Sequence, residues 1–194
     1  SSKVHDSYSY FMKRISNIPI LMFLPVIFFA ALASAFYIGL QRSDDTSLPS
    51  VLIGQLAPNI SKEELYPGSE VTPEILQSPN IKLVNFWASW CPPCRAEHSK
   101  LLEIADSGTV IVGVNIKDDK KNAVSYLQNY NNPFRAISYD PNGRTAIDWG
   151  VTAPPETFII DKDGKVLFRF AGPLVGQDYL NRFLPAYESA LTKK

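Results

Sequence analysis

Two cysteines are separated by two prolines in the sequence WCPPC, which covers residues 90–94. An apolar run precedes this motif and a helical pattern follows it, so we expect the cysteines at the N-terminus of a helix. Free backbone N–H groups and the positive end of the helix dipole stabilise a thiolate there, and the thiolate is the attacking form of cysteine. The spacing also lets Cys91 and Cys94 form a disulfide without backbone movement. We therefore predict that Cys91 is the outer nucleophile and Cys94 the more buried resolving thiol.

The two prolines between the cysteines bear on the direction of electron transfer. Pro92 and Pro93 each lack a backbone N–H that could otherwise donate to the Cys91 sulfur. A less stabilised thiolate means a higher pKa and a lower reduction potential, which favours a donor of electrons over an oxidant. The alternative is a structural disulfide or two inert thiols, but a strand-to-helix turn headed by Trp90 is a poor place to staple a domain.

Two titratable residues follow the cysteines on the same predicted helix. Glu97 comes three residues after Cys94 and should lie on the same side of the helix. A carboxylate there would disfavour ionisation of Cys94 and could relay the proton which that thiol loses; the alternative is an ordinary solvated glutamate. His98 is predicted to lie at the surface, because metal ligands usually come in sets.

Alternating strand and helix patterns surround the motif and predict an α/β domain with a thioredoxin-like fold, a central mixed sheet flanked by helices. Pro154 and Pro155 precede a predicted strand, where a bond to proline is of the kind that can be cis. The expected elements are strands at 81–88 and 109–116, helices at 93–105 and 119–130, a hairpin pairing 157–160 with 165–170, and a closing helix at 180–191.

Composition excludes several classes of protein. The 194 residues are 45% hydrophobic, with 19 Lys plus Arg against 19 Asp plus Glu. From residue 51 onward there are 15 basic and 16 acidic residues, so there is no electrostatic case for nucleic acid. Two cysteines and two distant histidines do not make a structural zinc site, and we expect no metal and no cofactor. The turn at 140–143 lacks the glutamate that a calcium loop requires.

The N-terminal region carries a long apolar run. Residues 18–40 contain no charged side chain and would reach about 34 Å as a helix, enough to cross a bilayer once. Lys13 and Arg14 precede the run, which predicts a cytoplasmic N-terminus at 1–17, an anchor at 18–40, a linker at 41–50 and a domain at 51–194 across the membrane. The alternative is a cleaved signal peptide, because Ala33 and Ala35 have the small-x-small form of a processing site.

Four stretches of sequence carry a more specific resemblance. They are PSVLIG at 49–54, FWASWCPPCRAEH at 86–98, VGVNIKDD at 112–119 and GVTAPPETFIID at 150–161. Together they resemble the membrane-anchored cytochrome c maturation thioredoxins of the CcmG/DsbE type, from residue 49 to the last helix.

The resemblance implies a function and a set of site residues. The protein would reduce the disulfide of an apocytochrome c Cys-x-x-Cys-His site, or a mixed disulfide with another maturation protein, in the periplasm at the bacterial inner membrane. A membrane disulfide reductase would supply the electrons. Carried over by position, Cys91 attacks, Cys94 resolves, Glu97 and Glu156 are acidic site groups, and Pro155 is the cis-proline. Two departures from the family pattern are Pro154, where a small residue is usual, and Pro173, where relatives often carry an acid.

Two other functions remain open from the residues. Cys91 and Cys94 could bind Cu(I) as soft ligands, although the domain has no methionine after Met22 and only His98 to support them. The domain could also be a non-catalytic docking module. The segment 64–79 has no assignment.

Overall fold

The computed structural model describes residues 23–41 and 51–192, and the chain divides into two units, residues 1–46 and 47–194. In the first unit, helix α1 spans Leu24–Gln41, and apolar side chains such as Phe28, Phe29 and Phe36 are exposed. The predicted N-terminal tail at 1–17 lies outside the described residues, and so does the linker apart from residue 41. The predicted anchor at 18–40 is described from residue 23 onward. Among the helices that the structure describes, none combines the length and the hydropathy that a membrane crossing requires.

The second unit is built on a five-stranded mixed sheet with the order β3-β2-β1-β4-β5. Strand β1 is parallel to β2 and antiparallel to β4, while β2 pairs with β3 in parallel and β4 with β5 antiparallel. The strands are β1 at Lys82–Trp87, β2 at Val110–Ile116, β3 at Ala136–Asp140, β4 at Glu156–Ile160 and β5 at Val166–Ala171. This arrangement confirms the thioredoxin-like fold class.

Helices cover both faces of this sheet. The two longest follow β1 and β2, as predicted, and short helical segments precede β1 and β4. Their bounds are α2 at Pro73–Leu76, α3 at Pro92–Asp106, α4 at Lys120–Tyr130 and α5 at Arg144–Asp148. The closing helical region runs through Gly176–Asp178 and a π-helical turn at Tyr179–Phe183 into α6 at Leu184–Thr192.

Strand β1 is buried along its whole length, because it lies in the middle of the sheet. Its side chains alternate between the two faces, as they must in a strand. Leu83 and Trp87 join one core cluster, which includes Cys94 and Leu101 from α3. Val84 and Phe86 belong to the other cluster, on the opposite face. The apolar residues of β1 therefore contribute to both core clusters.

Three loops meet at one end of the sheet, where β1 and β2 end and β4 begins. Strand β1 ends at Trp87, and the chain enters α3 five residues later at Pro92. Since β4 is antiparallel to β1 and Glu156 pairs with Phe86, the residues just before Glu156 lie beside the end of β1. Strand β2 ends one residue beyond the partner of Trp87, so its following loop lies at the same end of the sheet. The redox motif is placed where these three loops meet.

Two regions add to the predicted pattern. Strand β3 was not among the predicted elements, and it pairs with the edge of β2. The unassigned segment 64–79 contains helix α2, and Glu64 forms an isolated bridge with Ser138 of β3. The turn at residues 140–143 and the hairpin turn between β4 and β5 both occur as predicted.

Candidate active site

Cys91 and Cys94 form a disulfide at the start of α3, with their Cα atoms 5.3 Å apart. Cys91 is the N-cap residue of the helix, and its sulfur accepts a hydrogen bond from the backbone N–H of Cys94 at 3.2 Å. Pro92 and Pro93 fill the first two helical positions and have no N–H to offer, so Cys94 is the first donor of the helix. The predicted placement of the pair at a helix N-terminus is confirmed.

The prediction that Cys91 is more exposed than Cys94 is wrong. We predicted that Cys91 would be the outer residue, but both cysteines are 3% exposed. The proline loop before β4 covers Cys91, since the carbonyl oxygen of Pro154 lies 3.5 Å from its sulfur. In the disulfide form the sulfur has no proton to donate, so only the reduced thiol can use this oxygen as an acceptor.

Pro155 is buried and immediately precedes β4, at the end of the sheet where β1 ends. The peptide bond between Pro154 and Pro155 is cis, so Pro155 is the cis-proline that the resemblance implied. Because the Pro154 carbonyl belongs to this bond, the cis peptide and the Cys91 sulfur face each other directly. The proline loop therefore packs against the redox pair.

Glu97 lies on α3 one turn beyond Cys94 and is fully buried, which excludes a solvated helix glutamate. One carboxylate oxygen accepts a hydrogen bond from the Asn85 side-chain amide at 2.9 Å, and the other accepts from the backbone N–H of Leu174 at 2.8 Å. The Asn85 amide also donates to the Thr157 hydroxyl at 3.0 Å. These bonds join α3, β1, β4 and the loop after β5 behind the disulfide.

Burial controls the protonation of Glu97. Removal from water disfavours the carboxylate and raises the pKa of Glu97 to about 7, while the hydrogen bonds from Leu174 and Asn85 oppose that rise. A group with this pKa gains and loses a proton readily near neutral pH. Glu97 can therefore exchange a proton near neutral pH, and its role as a proton relay for Cys94 stays a prediction.

Glu156 is also buried, but its carboxylate is fully partnered. One oxygen forms an ion pair with the Arg169 guanidinium at 2.7 Å, and the other accepts hydrogen bonds from the Thr152 backbone and hydroxyl. Arg169 also donates to the carbonyl of Gly150. This arrangement ties Glu156 to strand β5 and to the loop before the cis-proline, so its structural contribution is to hold that loop.

Two sequence expectations about neighbouring residues have clear outcomes. The prediction that His98 lies at the surface is wrong: it is 7% exposed, and its Nε2 lies 3.0 Å from the carbonyl oxygens of both Tyr130 and Asn131. His98 packs against α4, where its ring lies edge-on to the rings of Tyr126 and Tyr130. Pro173 stands where relatives of the resembled family often carry an acid. The next residue, Leu174, donates its backbone N–H to Glu97, so this loop supplies a hydrogen-bond donor to the site.

Asn85, Arg169 and Leu174 take part in the site, although the sequence did not single them out. Leu174 contributes only its backbone, so no side-chain pattern could reveal it. An Asn in the middle of a mostly apolar strand was a usable signal, because buried amides need partners.

The geometry defines the chemistry. A disulfide that caps a helix can be reduced to two thiols, one of which meets an incoming disulfide while the other releases the product. A buried acid with a pKa of about 7 stands one turn beyond the second cysteine on the same helix. On a thioredoxin-like fold, this is the site of a thiol-disulfide oxidoreductase.

Comparison with known proteins agrees with this class and narrows it. The Redoxin family profile matches residues 52–182. A thiol:disulfide interchange protein DsbE homolog from Paracoccus denitrificans strain Pd 1222 is 52% identical over 171 residues, covering 88% of this chain and 95% of the relative. The thiol:disulfide interchange protein HelX of Rhodobacter capsulatus is 42% identical over 154 residues, covering 79% and 88%.

A solved structure gives the same result. A candidate thiol:disulfide interchange protein DsbE from Chlorobium tepidum superposes with a TM-score of 0.57 at 26% identity, covering 70% of this chain and 95% of that one. The chain belongs to the Redoxin family and, within it, to the DsbE/HelX thiol:disulfide interchange proteins.

Proposed function

We propose that this oxidoreductase works as a reductant in cytochrome c biogenesis. Its substrate is the disulfide of an apocytochrome c Cys-x-x-Cys-His site, or a mixed disulfide between that site and another maturation protein. Reduction leaves both substrate thiols free for haem attachment. The resemblance to cytochrome c maturation thioredoxins and the similarity to DsbE and HelX proteins support this assignment.

The observation that carries the direction of the reaction is the single N–H donated to the Cys91 sulfur. Pro92 and Pro93 remove the other donors that the first turn could supply, so the Cys91 thiolate is weakly stabilised. A weakly stabilised thiolate favours the disulfide form of the protein, and a protein that prefers its disulfide gives electrons to its partner.

Reduction of the substrate takes two exchange steps. The Cys91 thiolate attacks one substrate sulfur, forming a mixed disulfide and releasing the other substrate sulfur as a thiolate, which takes up a proton. Cys94 then loses its proton and attacks the Cys91 sulfur. This restores the Cys91–Cys94 disulfide and releases the second substrate thiol, so two electrons have passed to the substrate. Glu97, placed one turn beyond Cys94 with a pKa of about 7, accepts the Cys94 proton.

The same proposal includes a location and an electron donor. The uncharged run at 18–40 anchors the chain in the bacterial inner membrane, with the N-terminus in the cytoplasm and the redox domain in the periplasm. The exposed apolar side chains of α1 support an apolar environment for this helix. A membrane disulfide reductase then returns the Cys91–Cys94 disulfide to two thiols after each cycle.

The proposal is tested by trapping the reaction halfway. A Cys94→Ser variant is mixed with an apocytochrome c peptide whose Cys-x-x-Cys-His site is oxidised, and the products are separated without reducing agent. The mixed disulfide should accumulate, because the variant has no thiol to resolve it. The matched control is Cys91→Ser, which should trap little peptide because this variant lacks the thiol that attacks in the proposed mechanism.

Two outcomes would contradict the proposal. Absence of a trapped species with Cys94→Ser would remove the apocytochrome site as a substrate. Equal trapping by Cys91→Ser would show that the roles of the two thiols are assigned wrongly.

A further inference from the structure

We infer that Asp118 is a positioning residue for thiol-disulfide exchange, which holds the turn before Cys91 so that an incoming polypeptide disulfide meets the Cys91 sulfur in a fixed geometry. The juxtaposition behind this inference is between the loop after β2, which contains Asp118, and residues 88–91 between β1 and α3. Both loops follow the C-terminal ends of these neighbouring parallel strands, at the end of the sheet where the redox pair lies.

Both oxygens of the Asp118 carboxylate accept hydrogen bonds from Ser89 in this turn, and these two bonds are called the grip below. One oxygen accepts a hydrogen bond from the backbone N–H of Ser89 at 2.6 Å, and the other accepts from the Ser89 hydroxyl at 2.8 Å. The same two oxygens accept from the side chain of Asn115 at 2.9 Å and from the N–H of Asp119 at 2.9 Å. Four donors on one carboxylate fix its orientation, and two of the four come from a residue two positions before Cys91.

The loop that carries Asp118 is itself held in place. The carbonyl of Asp118 accepts a hydrogen bond from the Tyr139 hydroxyl at 2.9 Å, and the N–H of Lys117 donates to the carbonyl of Asp140 at 3.1 Å. Lys117 has a left-handed backbone with a φ of 47°. Strand β3 therefore supports the loop from behind, and the grip on Ser89 acts against a fixed frame.

The loop also fixes the most exposed large side chain at the site. Trp90 is 56% exposed, and its indole N–H donates to the carbonyl of Lys117 at 2.9 Å. The polar atom of this ring is thereby occupied, and its apolar face lines a depression of about 360 Å³ together with Pro92, Arg95 and Ala96. A peptide that approaches Cys91 over this depression meets a ring whose position depends on residues 117 and 118.

This inference predicts that polypeptide and small disulfides respond differently to loss of the grip. A small disulfide such as 2-hydroxyethyl disulfide needs only the Cys91 sulfur, whereas a peptide disulfide must also fit the surface beside it. In Asp118→Asn, the new amide nitrogen cannot accept hydrogen bonds, so the backbone N–H of either Ser89 or Asp119 loses its acceptor, and the bonds that remain lose the negative charge of the carboxylate. The turn and Trp90 become mobile, while the thiol chemistry at the helix N-terminus remains.

The experiment compares second-order rates for the reduced proteins. Asp118→Asn should react with an oxidised Cys-x-x-Cys-His peptide about tenfold more slowly than the unmodified protein, and with 2-hydroxyethyl disulfide within about twofold of it. Acrylamide quenching supplies a reading that needs no substrate, because Trp87 and Trp149 are buried and Trp90 reports alone. Quenching should increase in Asp118→Asn.

The matched control is Asp119→Asn, which makes the same change of charge one residue away. The Asp119 side chain caps α4 by accepting from the N–H of Asn122 at 3.0 Å and does not contact the turn before Cys91. It should leave both rates and the quenching unchanged. If Asp118→Asn does not fold, Ser89→Ala removes one bond of the grip, and it should slow the peptide reaction alone by about two- to threefold.

The inference is overturned if Asp118→Asn or Ser89→Ala leaves the peptide rate and the quenching unchanged, or if Asp119→Asn lowers the peptide rate equally. If the unmodified protein reduces 2-hydroxyethyl disulfide but not the peptide, the proposed substrate is wrong. The quenching measurement then decides the role of Asp118 without it.

Discussion

Replacing Glu97 with Gln removes a buried charge whose cost depends on pH. The Glu97 side chain is fully buried, and burial raises its pKa from 4.5 to about 7. We expect Glu97→Gln to make the oxidised protein more stable at alkaline pH and to leave its stability nearly unchanged at acidic pH. The oxidised form is the right one to measure, because its cysteines do not titrate.

The magnitude follows from the two pKa values. Below pH 4.5 the carboxyl is protonated in both the folded and the unfolded chain, so no charge is buried. As the pH rises from 4.5 to 7, the unfolded chain releases the proton and the folded chain keeps it, so the free energy of unfolding falls. Above pH 7 the fall is complete. At about 1.4 kcal/mol for each unit, the total is about 3 kcal/mol.

The Gln side chain can keep the hydrogen bonds of the site. Its carbonyl oxygen can accept from the N–H of Leu174, as the carboxylate does. Its amide can donate to the Oδ1 of Asn85, which is buried without a hydrogen-bond partner, when the Asn85 amide turns over. The Thr157 hydroxyl can then act as donor to Asn85. After this turnover the Nδ2 of Asn85 takes the position that has no partner, so the variant keeps one unpaired amide atom, as the unmodified protein does, and loses the charge.

The assay is denaturant unfolding of the oxidised protein from pH 4.5 to pH 9. Glu97→Gln should match the unmodified protein at the acid end and exceed its free energy of unfolding by about 3 kcal/mol at the alkaline end. Glu103→Gln, on the exposed side of the same helix, is the control and should show no comparable rise. A difference that does not change with pH, or a Gln variant that is less stable at pH 9, would refute the burial argument.

Two further predictions concern packing around the site. Arg169→Ala leaves the buried Glu156 carboxylate without its cation and should lower the free energy of unfolding by about 3 kcal/mol, whereas Arg135→Ala, at an exposed arginine, should cost little. A similar loss from both variants would show that the Glu156 ion pair has no special role. Gly113→Ala places a Cβ 2.8 Å from the Phe134 ring and should cost about 1–3 kcal/mol by thermal unfolding; combining it with Phe134→Leu should recover part of that loss. An unchanged Tm for Gly113→Ala would contradict the close contact.

Much of the fold could be predicted from local patterns. The strands at Lys82–Trp87 and Val110–Ile116 are buried on both faces, which leaves nearly continuous apolar runs in the sequence. Strand β3 at Ala136–Asp140 was missed because it is short and lies at the edge of the sheet, where its sequence lacks such a run. Its partner strand decides its conformation, and a local pattern does not contain that partner.

The site was predictable only in part, for a related reason. The Cys91–Cys94 spacing and the prolines at 154–155 are local signals, and both led to the correct place in the fold. The burial of Glu97 depends on Leu174, 77 residues away, and the partner of Glu156 lies 13 residues away on another strand. The exposure of Cys91 was predicted wrongly for the same reason, since the loop that covers it lies 63 residues later in the chain.

The central claim is that the Cys91–Cys94 pair serves as a donor of electrons, and redox titration of this disulfide against a dithiol buffer measures it most directly. The proline pair in the first turn of α3 predicts a reduction potential between about −180 and −270 mV, on the reducing side of the range for exchange proteins. A potential near about −120 mV, typical of a strong oxidant, would contradict the account.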